Sequence, residues 1–487
     1  MSQEIRNLEP KPLWNKFADL NAVPRPSKKE DRVIAFMKDF GNRLGLETFE
    51  DEIRNVIIRK PATPGMENRK PLVLQGHLDM VHQKNADTIF DFDQQGIDMY
   101  VDGDWVRARG TTLGADNGLG VAMIMAILES KDIKHPAIEA LFTIDEETGM
   151  TGALNLKGGI LQGEILLNLD TEEDDEIGIG CAGGIDVTAT RTYHEEETPE
   201  GSVGYTITVK GLNGGHSGMD INKGLGNANK IMNRLLFDGF ENFGLQIAEV
   251  NGGSLRNAIP RESVAKVIVA AMYDEAYVFD MQEIIRDIKA EYQTTEPNLT
   301  IAIEKCDLPS KVMELGVQEG IIRSIYAAHN GVYRMSADMG DLVETSNNVA
   351  RVIIKEGEIT IFCLTRSSVE SSKFDLANAL RAAFELCGCE VTLAGSYPGW
   401  TPNVNSEILD LLVKIYEKQN HVKPRVAACH AGLECGILGT HYPEMDMISF
   451  GPTIHGAHSP DERASISSAQ KFWNFVIEIL EHIPVKQ

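Results

Sequence analysis

Several acidic and histidine side chains of this sequence stand directly after short apolar runs, where buried strands would end. His77 and Asp79 follow one such run, Glu146 and Glu147 a second, and Asp170 a third. Imidazole and carboxylate groups in these positions can bind a metal ion or exchange protons with a substrate. In open sheets, ligands bind outside the carboxyl ends of the strands. The spacing therefore predicts that these groups meet at one sheet edge.

Two more candidates extend this set: Asp116 precedes an apolar helical segment, and His458 follows a late apolar run. Taken singly, each residue has an ordinary explanation, such as an N-cap or a solvated acidic turn. Taken together, the carboxylates would repel one another unless a cation compensates them. Two imidazoles with three carboxylates favour zinc, with cobalt or manganese as substitutes. Five ligands exceed what one four-coordinate ion needs, so we predict two ions that share a carboxylate.

The elements that must position these side chains are visible as apolar runs. An opening helical stretch over 13–46 is broken around Pro24–Pro26, and a buried helix is predicted over 118–128. Strands separated by helices are typical of an α/β fold whose sheet is covered on both faces. The predicted buried strands are 71–76, 138–144, 164–169 and 445–450.

The middle of the chain has a different pattern. Residues 205–210 alternate between apolar and polar, and 349–354 with 359–364 predict a hairpin around the turn 355–358. Helical patterns over 225–236 and 279–292 lie between such strands. We therefore predict an inserted α+β domain, long enough to contain a diverged duplication. The predicted domains are 1–186 with 396–487, and 187–395 for the insertion.

Composition excludes several classes of function. The chain has 487 residues, is 43% hydrophobic and has a net charge of −26. Such a surface disfavours nucleic acid and anionic membranes as partners. The first residues lack an apolar stretch of signal-peptide type, and no apolar run reaches the ~18 residues of a membrane span. The seven cysteines form no Cys-x-x-Cys motif. These features predict a reduced, cytoplasmic setting.

The sequence resembles the dinuclear-zinc peptidase family that includes aminoacylases, carboxypeptidase G and dipeptidases. The resemblance runs over essentially the whole chain. It implies a catalytic domain with a central mixed sheet covered by helices, and an inserted α+β lid domain built as a duplicated ferredoxin-like unit. The segments that carry it are 59–63, 76–81, 109–118, 181–184, 214–218, 256–261, 430–436 and 458–462.

The resemblance also implies a role for each candidate at the metal site. Asp116 would bridge two zinc ions, and His77 with Asp170 would complete the ligands of one ion. Glu147 and His458 would complete those of the other. Glu146 would be the general base, and Asp79 would orient the ring of His77 through its free nitrogen.

Substrate contacts are implied for four more residues. His216 would reach the site from the smaller domain and hold the oxyanion, although a loop histidine can also simply pack. Arg366 would clamp the C-terminal carboxylate of the substrate, with Asn257 as a second candidate. The loop that begins at His430 would meet the second residue of the substrate. An arginine at a strand end can equally be a solvated or paired charge.

The resemblance implies hydrolysis of unblocked dipeptides by a zinc-bridged hydroxide, with histidine preferred in the second position, as in β-alanyl-histidine. The partner would be a small dipeptide, and a homodimer is an open expectation. A deacylase, a tripeptidase and a broader aminopeptidase remain alternatives within the same fold. An alternative of a different class is a non-catalytic metal-binding scaffold, which would not need Glu146.

Overall fold

The computed structural model describes residues 3–486, which form two compact units. The first unit contains the chain up to Gly180, Trp400–Ala428 and the chain from Leu433 onward. The second unit contains Cys181–Gly399 and Cys429–Gly432. The inserted segment 187–395 falls inside the second unit, and its limits stay a prediction.

The first third of the chain alternates helices and strands. Its helices are α1 (Gln3–Arg6), α2 (Lys11–Leu20), α3 (Asp31–Arg43), α4 (Ala115–Glu129), α5 (Glu146–Gly149) and α6 (Thr151–Asn155). Its strands are β1 (Glu47–Glu50), β2 (Val56–Lys60), β3 (Leu72–His77), β4 (Met99–Asp102), β5 (Trp105–Ala108), β6 (Ile138–Thr143), β7 (Ile165–Asn168) and β8 (Glu176–Cys181).

The middle of the chain is richer in strands, and the last part returns to alternation. The middle strands are β9 (Gly183–Thr192), β10 (Glu195–Glu197), β11 (Ser202–Lys210), β12 (Gly215–His216), β13 (Gln246–Gly253), β14 (Ala258–Ile259), β15 (Ser263–Ala270), β16 (Thr300–Cys306), β17 (Lys311–Met313), β18 (Gly331–Met335), β19 (Val343–Lys355), β20 (Glu358–Ser367) and β21 (Glu390–Tyr397). The middle helices are α7 (Ala228–Phe243), a 3₁₀ turn (Ala271–Tyr273), α8 (Asp274–Glu291), α9 (Leu315–Ala327) and α10 (Glu370–Glu385). The last elements are α11 (Glu407–Asn420), β22 (Arg425–Cys429), α12 (Glu434–His441), β23 (Asp446–Ser449), β24 (Ile454–His455), β25 (Arg463–Ser465) and α13 (Ile466–His482).

The main sheet of the first unit has eight strands in the order β1-β2-β6-β3-β7-β23-β8-β22. Its four central strands, β6, β3, β7 and β23, are parallel, whereas β1, β2 and β8 pair antiparallel. Every residue of β3, β6 and β7 is buried. Near-continuous apolar strands are expected in parallel sheets with both faces covered. The four predicted buried strands and the mixed α/β class are confirmed.

Helix α4 is the predicted buried helix. It packs against α2 and β3, and its residues from Asn117 to Leu128 are buried. The backbone is not helical at Asp116 and Asn117. Regular helix therefore begins only after these two residues. The opening helical stretch is also confirmed, because α2 and α3 are separate helices on either side of Pro24–Pro26.

The second unit contains a nine-stranded sheet made of two similar halves. The strand order is β16-β11-β15-β13-β19-β20-β9-β21, with β18 also paired to β19. The first half, β11-α7-β13-β15-α8-β16, has the chain order of a ferredoxin-like unit. The second half repeats that order as β9-α9-β19-β20-α10-β21. In both halves the spatial order of the strands is fourth, first, third, second. The predicted duplication is therefore confirmed.

The predicted hairpin is the antiparallel pair β19–β20, in which Lys355 lies opposite Glu358. Its two turn residues, Glu356 and Gly357, have φ of 54° and 80°. Positive φ at both central residues is typical of a type I′ turn, whose twist matches that of the flanking strands. The hairpin carries Arg366 near the end of β20, where the side chain is 4% exposed.

Candidate metal centre

Three parallel strands of the first unit deliver the predicted side chains to one sheet edge. β3 ends at His77, whose register partner on β6 is Thr143. The chain leaving β6 turns at Asp145, which has a left-handed φ of 53°, and enters α5 at Glu146. Asp170 lies two residues beyond the end of β7. The parallel arrangement thus places these groups together, because neighbouring strands end at the same edge.

Asp116 lies between two imidazoles. Its Oδ1 is 3.1 Å from Nε2 of His77, and its Oδ2 is 3.1 Å from Nε2 of His458. The other two carboxylates each approach one imidazole: Asp170 Oδ1 is 3.5 Å from His77 Nε2, and Glu147 Oε2 is 2.9 Å from His458 Nε2. The five side chains therefore form two groups of three that share Asp116, each with its candidate ligand atoms within 4.8 Å of one another.

The donor set fits divalent cations. Among residues 3–486, Oε1 of Glu147 is buried and has no hydrogen-bond partner, and the buried Oδ1 of Asp170 has only the 3.5 Å approach of His77 Nε2. Buried carboxylate oxygens are otherwise nearly always hydrogen-bonded or bound to a metal. The cluster also concentrates three carboxylates with only two imidazoles, so cations would relieve the repulsion among them. Both observations favour a bound cation. The donor set itself, imidazoles with carboxylates, is one that zinc-like metals prefer.

The pKa values of the two imidazoles also favour a cation site. Hydrogen bonds to Asp116 and Glu147 raise the pKa of His458 to about 11. Burial would lower the pKa of His77, but the carboxylates around it outweigh burial and raise that pKa well above its ordinary value. Both imidazoles thus keep a proton at neutral pH where a ligated imidazole must give it up. Cations would replace these protons.

Asp79 fixes both the histidine and the glutamates. Its Oδ1 accepts a hydrogen bond from the backbone N–H of Glu146 at 3.0 Å and lies 3.4 Å from Nδ1 of His77. Its Oδ2 accepts from Ser27 Oγ at 2.8 Å and from the Glu147 N–H at 3.3 Å. Burial would raise the pKa of Asp79, yet these bonds lower it. Asp79 is therefore an ionised acceptor that orients its neighbours.

Glu146 differs in its environment from the glutamate beside it. Burial raises the pKa of Glu146 well above its ordinary value. One of its carboxylate oxygens lies within 4.8 Å of candidate ligand atoms of His77 and Glu147. A carboxylate with raised proton affinity beside a cation site is suited to accept and return a proton.

Glu462 holds the Asp116 loop, and sequence reasoning assigned it no role. Its carboxylate accepts hydrogen bonds from four successive backbone N–H groups. The distances are 2.7 Å for Leu113, 2.9 Å for Gly114, 2.7 Å for Ala115 and 3.3 Å for Asp116. His458 and Glu462 lie on the same connection, between β24 and β25. In the sequence, the one indication of a role for Glu462 is its position in segment 458–462, which carries the family resemblance.

We expect Glu462→Gln to weaken metal binding by about 10–100-fold, the usual effect of disturbing a group that supports metal ligands. The amide has one acceptor oxygen and would direct a donor towards backbone N–H groups, so the Asp116 loop would shift. Zinc titration against a competing chelator measures this, with Asp461→Asn as the exposed neighbouring control. Equal zinc affinity for both variants would contradict the anchoring role.

Arg25 and Asn117 also hold the backbone around the candidate metal ligands, and the sequence analysis assigned neither of them a role. The buried Arg25 guanidinium donates to the carbonyls of Leu78 and Asp79 at 3.1 and 3.0 Å and also to the carbonyl of Gly114. The Asn117 amide donates to the carbonyl of Leu169, the residue before Asp170. A side chain at Gly76 would collide with Asn117. The glycine in the Gly-His-Leu-Asp segment is thus explained by this close approach.

The second unit groups the predicted substrate-binding residues separately. Arg366 Nη1 donates to Tyr397 Oη at 2.9 Å, Nη2 lies 3.5 Å from His216 Nε2, and Nε donates to Ser217 Oγ at 3.4 Å. His430 Nε2 lies 2.7 Å from the hydroxyl of Ser346.

Burial and the Arg366 charge lower the pKa of His216 to about 4 and that of His430 to about 3. The two histidines are therefore neutral at neutral pH, and Arg366 carries the positive charge. Asn257 joins this group through its backbone, whose carbonyl accepts from the Ser217 N–H at 2.8 Å. Among the described residues, the hydrogen bonds of the Arg366 side chain go to Ser217, Tyr397 and His216 and not to Asn257.

The fold and the candidate metal centre are together typical of a metallopeptidase. The model of peptidase family M20/M25/M40 matches residues 73–482, and the chain belongs to this family. The family implies divalent metal binding, in agreement with the candidate cation sites around Asp116.

Two relatives that match over their full length are dipeptidases. The cytosol non-specific dipeptidase of Escherichia coli K12 is 43% identical over 486 residues, which cover 99% of this chain and 100% of the relative. The crystal structure of aminoacylhistidine dipeptidase from Vibrio alginolyticus is 44% identical, with a TM-score of 0.93 and coverage of 100% of this chain and 99% of that one. The family resemblance predicted from the sequence is confirmed and extends to bacterial aminoacyl-histidine dipeptidases, so these matches support a dipeptidase function.

More distant structures share the fold alone. An aminopeptidase from Bacillus cereus is 16% identical, with a TM-score of 0.58 over 98% of this chain and 99% of that one. Within residues 3–486, every helix is too short or too polar to span a bilayer.

Proposed function

We propose that this protein hydrolyses unblocked dipeptides with two zinc ions, held by the two groups of residues that share Asp116. His77, Asp116 and Asp170 would hold one ion, and Asp116, Glu147 and His458 the other. The observation that supports this most is the placement of Asp116, whose two carboxylate oxygens each face a different imidazole at 3.1 Å. Cobalt or manganese would suit the same donors.

The chemistry divides between the ions and the chain. When bound, such an ion pair lowers the pKa of a water molecule and polarises the peptide carbonyl. Glu146 would accept the water proton on its carboxylate and return it to the amine nitrogen of the leaving amino acid. Asp79 would hold His77 and the Glu146 backbone in place throughout. One water is consumed and two amino acids are released.

Recognition of the free C-terminus would come from the second unit. Arg366 carries the charge that complements a carboxylate, and its guanidinium is held by Tyr397 and Ser217. A neutral His216 can donate a hydrogen bond to the carbonyl oxygen as negative charge develops there. The Asn257 and His430 assignments stay predictions.

A preference for histidine in the second position is the narrower part of this proposal. It is supported by the likeness to the Vibrio enzyme, which is named for aminoacyl-histidine substrates. The E. coli relative is named as non-specific, which favours a wider range of dipeptides. Its name also places that relative in the cytosol, in agreement with the cytoplasmic setting expected from composition. A homodimer stays a prediction.

The test is a substrate panel combined with metal analysis. We expect purified protein with about two zinc ions per chain to cleave Xaa-His dipeptides fastest and other dipeptides more slowly, and to leave tripeptides and N-acetyl amino acids nearly untouched. Turnover of the acetylated compounds alone would instead indicate a deacylase. Equal rates on dipeptides and tripeptides would indicate a broader peptidase.

We expect Arg366→Lys to raise KM for dipeptides about 10–100-fold with a smaller change in kcat. Lysine lacks the planar fork that binds a carboxylate through two parallel hydrogen bonds, and a charged hydrogen bond contributes about 1.5–3 kcal/mol. Steady-state kinetics measures the split between KM and kcat, with the exposed Arg381→Lys as control. A dipeptide amide, which lacks the carboxylate, should be handled alike by wild type and variant. A variant that still discriminated acid from amide as wild type does would refute the clamp.

A further inference from the structure

A pair of cysteines in the second unit lies outside the proposed chemistry. Cys387 and Cys389 follow α10, and their Sγ atoms are 3.5 Å apart. Cys387 is 9% exposed and Cys389 6%. Neither Cys387 nor Cys389 is in a disulfide, so the pair is a dithiol.

The backbone between the two sulfurs is arranged as a tight turn. The N–H groups of Cys387 and Cys389 both donate to the carbonyl of Phe384, at 3.2 and 3.1 Å. Gly388 has a φ of 80°, a conformation that favours glycine. The sulfurs need to approach by only about 1.5 Å to reach the ~2.05 Å of a disulfide bond.

The two thiols are chemically unequal. The hydrogen bond from Cys389 lowers the pKa of Cys387 to about 6, with Ser324 and the charge of Arg191 acting in the same sense. The same contact raises the pKa of Cys389. The Cys387 thiol can also donate to the Phe384 carbonyl at 3.1 Å, which favours its neutral form. Since thiolates are the nucleophiles in exchange reactions, Cys387 is the thiol suited to attack.

A small molecule can approach this turn. A cavity of about 620 Å³ lies beside it, lined by Gly388 together with Arg191, Glu358 and Glu390. The guanidinium of Arg191 donates to the Cys387 carbonyl and would lie 3.1 Å from a side chain placed on Gly388. The cavity thus offers a cation next to the turn that carries the attacking sulfur.

We propose that Cys387 and Cys389 form a dithiol site that reacts with small organic disulfides. The Cys387 thiolate attacks one sulfur of the disulfide RSSR, forming a mixed disulfide and releasing one thiolate, which takes up a proton. Cys389 then loses its proton and attacks Sγ of Cys387, closing the Cys387–Cys389 bond and releasing the second thiol. The protein dithiol is oxidised by two electrons, and RSSR is reduced to two RSH. This site is independent of the metal centre and of the proposed peptidase chemistry.

The experiment treats the reduced, metal-loaded, full-length protein with excess oxidised glutathione and follows intact mass and peptide maps. We expect most chains to lose two hydrogens, located in the peptide that contains both cysteines, and to regain them with dithiothreitol. Cys389→Ser should stop at a glutathione adduct on Cys387, and Cys387→Ser should form no internal disulfide. Cys306→Ser, which removes a partly exposed cysteine of the same unit, should behave as wild type.

Three results would overturn the site: wild type that keeps a stable glutathione adduct, wild type that does not react at this peptide, or an internal disulfide elsewhere that accounts for the lost hydrogens. Circular dichroism of the variants separates misfolding from loss of reaction. If both serine variants misfold, brief labelling of wild type with a bifunctional trivalent arsenical decides the matter. A dithiol at this distance binds one arsenic through both sulfurs, and failure to bind would equally refute the pair.

Discussion

Glu146→Gln should lower kcat by about 10²–10⁴-fold while zinc content stays that of wild type, because a general base typically contributes an acceleration of that size. The amide keeps the shape of the side chain but cannot take a proton. Burial raises the pKa of Glu146, and this direction favours acceptance of a proton by the wild-type carboxylate. Steady-state kinetics and metal analysis of the same sample measure both parts.

Two comparison variants sharpen this result. Glu147→Gln alters the neighbouring carboxylate that faces His458 at 2.9 Å, and we expect it to lose zinc as well as activity. Glu444→Gln, an exposed change in the same unit, should match wild type. Substantial turnover by the Glu146 variant would disprove the base assignment. A full loss of zinc in that variant would instead make Glu146 a ligand.

Asp116→Asn should weaken both metal sites at once and lower kcat/KM by about 10³-fold or more. Metal ions supply several kcal/mol of transition-state stabilisation, and each 1.36 kcal/mol is a factor of ten. Asparagine offers one oxygen where the carboxylate presents two, one towards His77 and one towards His458. Zinc content after dialysis against a weak chelator, together with kcat/KM, tests the expectation.

Asp170→Asn is the matched comparison, because Asp170 belongs to the group of His77 and not to the group of His458. We expect it to lose about one ion per chain, whereas the Asp116 variant loses both. If the two variants lost metal equally, Asp116 would not be shared between the sites. Thermal unfolding with and without zinc shows whether each variant is folded.

The sequence predicted the elements that depend on short-range pattern. The apolar strands β3, β6, β7 and β23 are nearly continuous runs, and the residues after them follow from the rule that parallel strands end at one edge. The duplicated ferredoxin-like unit was predicted from family resemblance. No short-range pattern reveals it, because its second half begins with β9, far ahead of β19 and β20 in the chain.

The supporting residues of the metal centre could not be predicted in this way. Glu462 binds backbone groups about 350 residues earlier in the chain, and a glutamate that accepts only main-chain N–H groups leaves no side-chain partner in the sequence pattern. Arg25 donates mainly to main-chain carbonyls, so the sequence pattern shows no side-chain partner for it either. The hydroxyl contact of Tyr397 with Arg366 depends on long-range strand pairing, because Arg366 on β20 and Tyr397 on β21 both lie opposite Gly184 of β9.

The place of β23 in the main sheet has a consequence for biosynthesis. This strand lies between β7 and β8, although both are made long before it. In a ribosome-bound chain, the main sheet therefore lacks the strand between β7 and β8 until β23 has been synthesised. His458 is synthesised only after β23. Because domains tend to fold as units during translation, the candidate metal centre would be completed last. A nascent chain without these final segments carries four of the five candidate ligands and lacks His458.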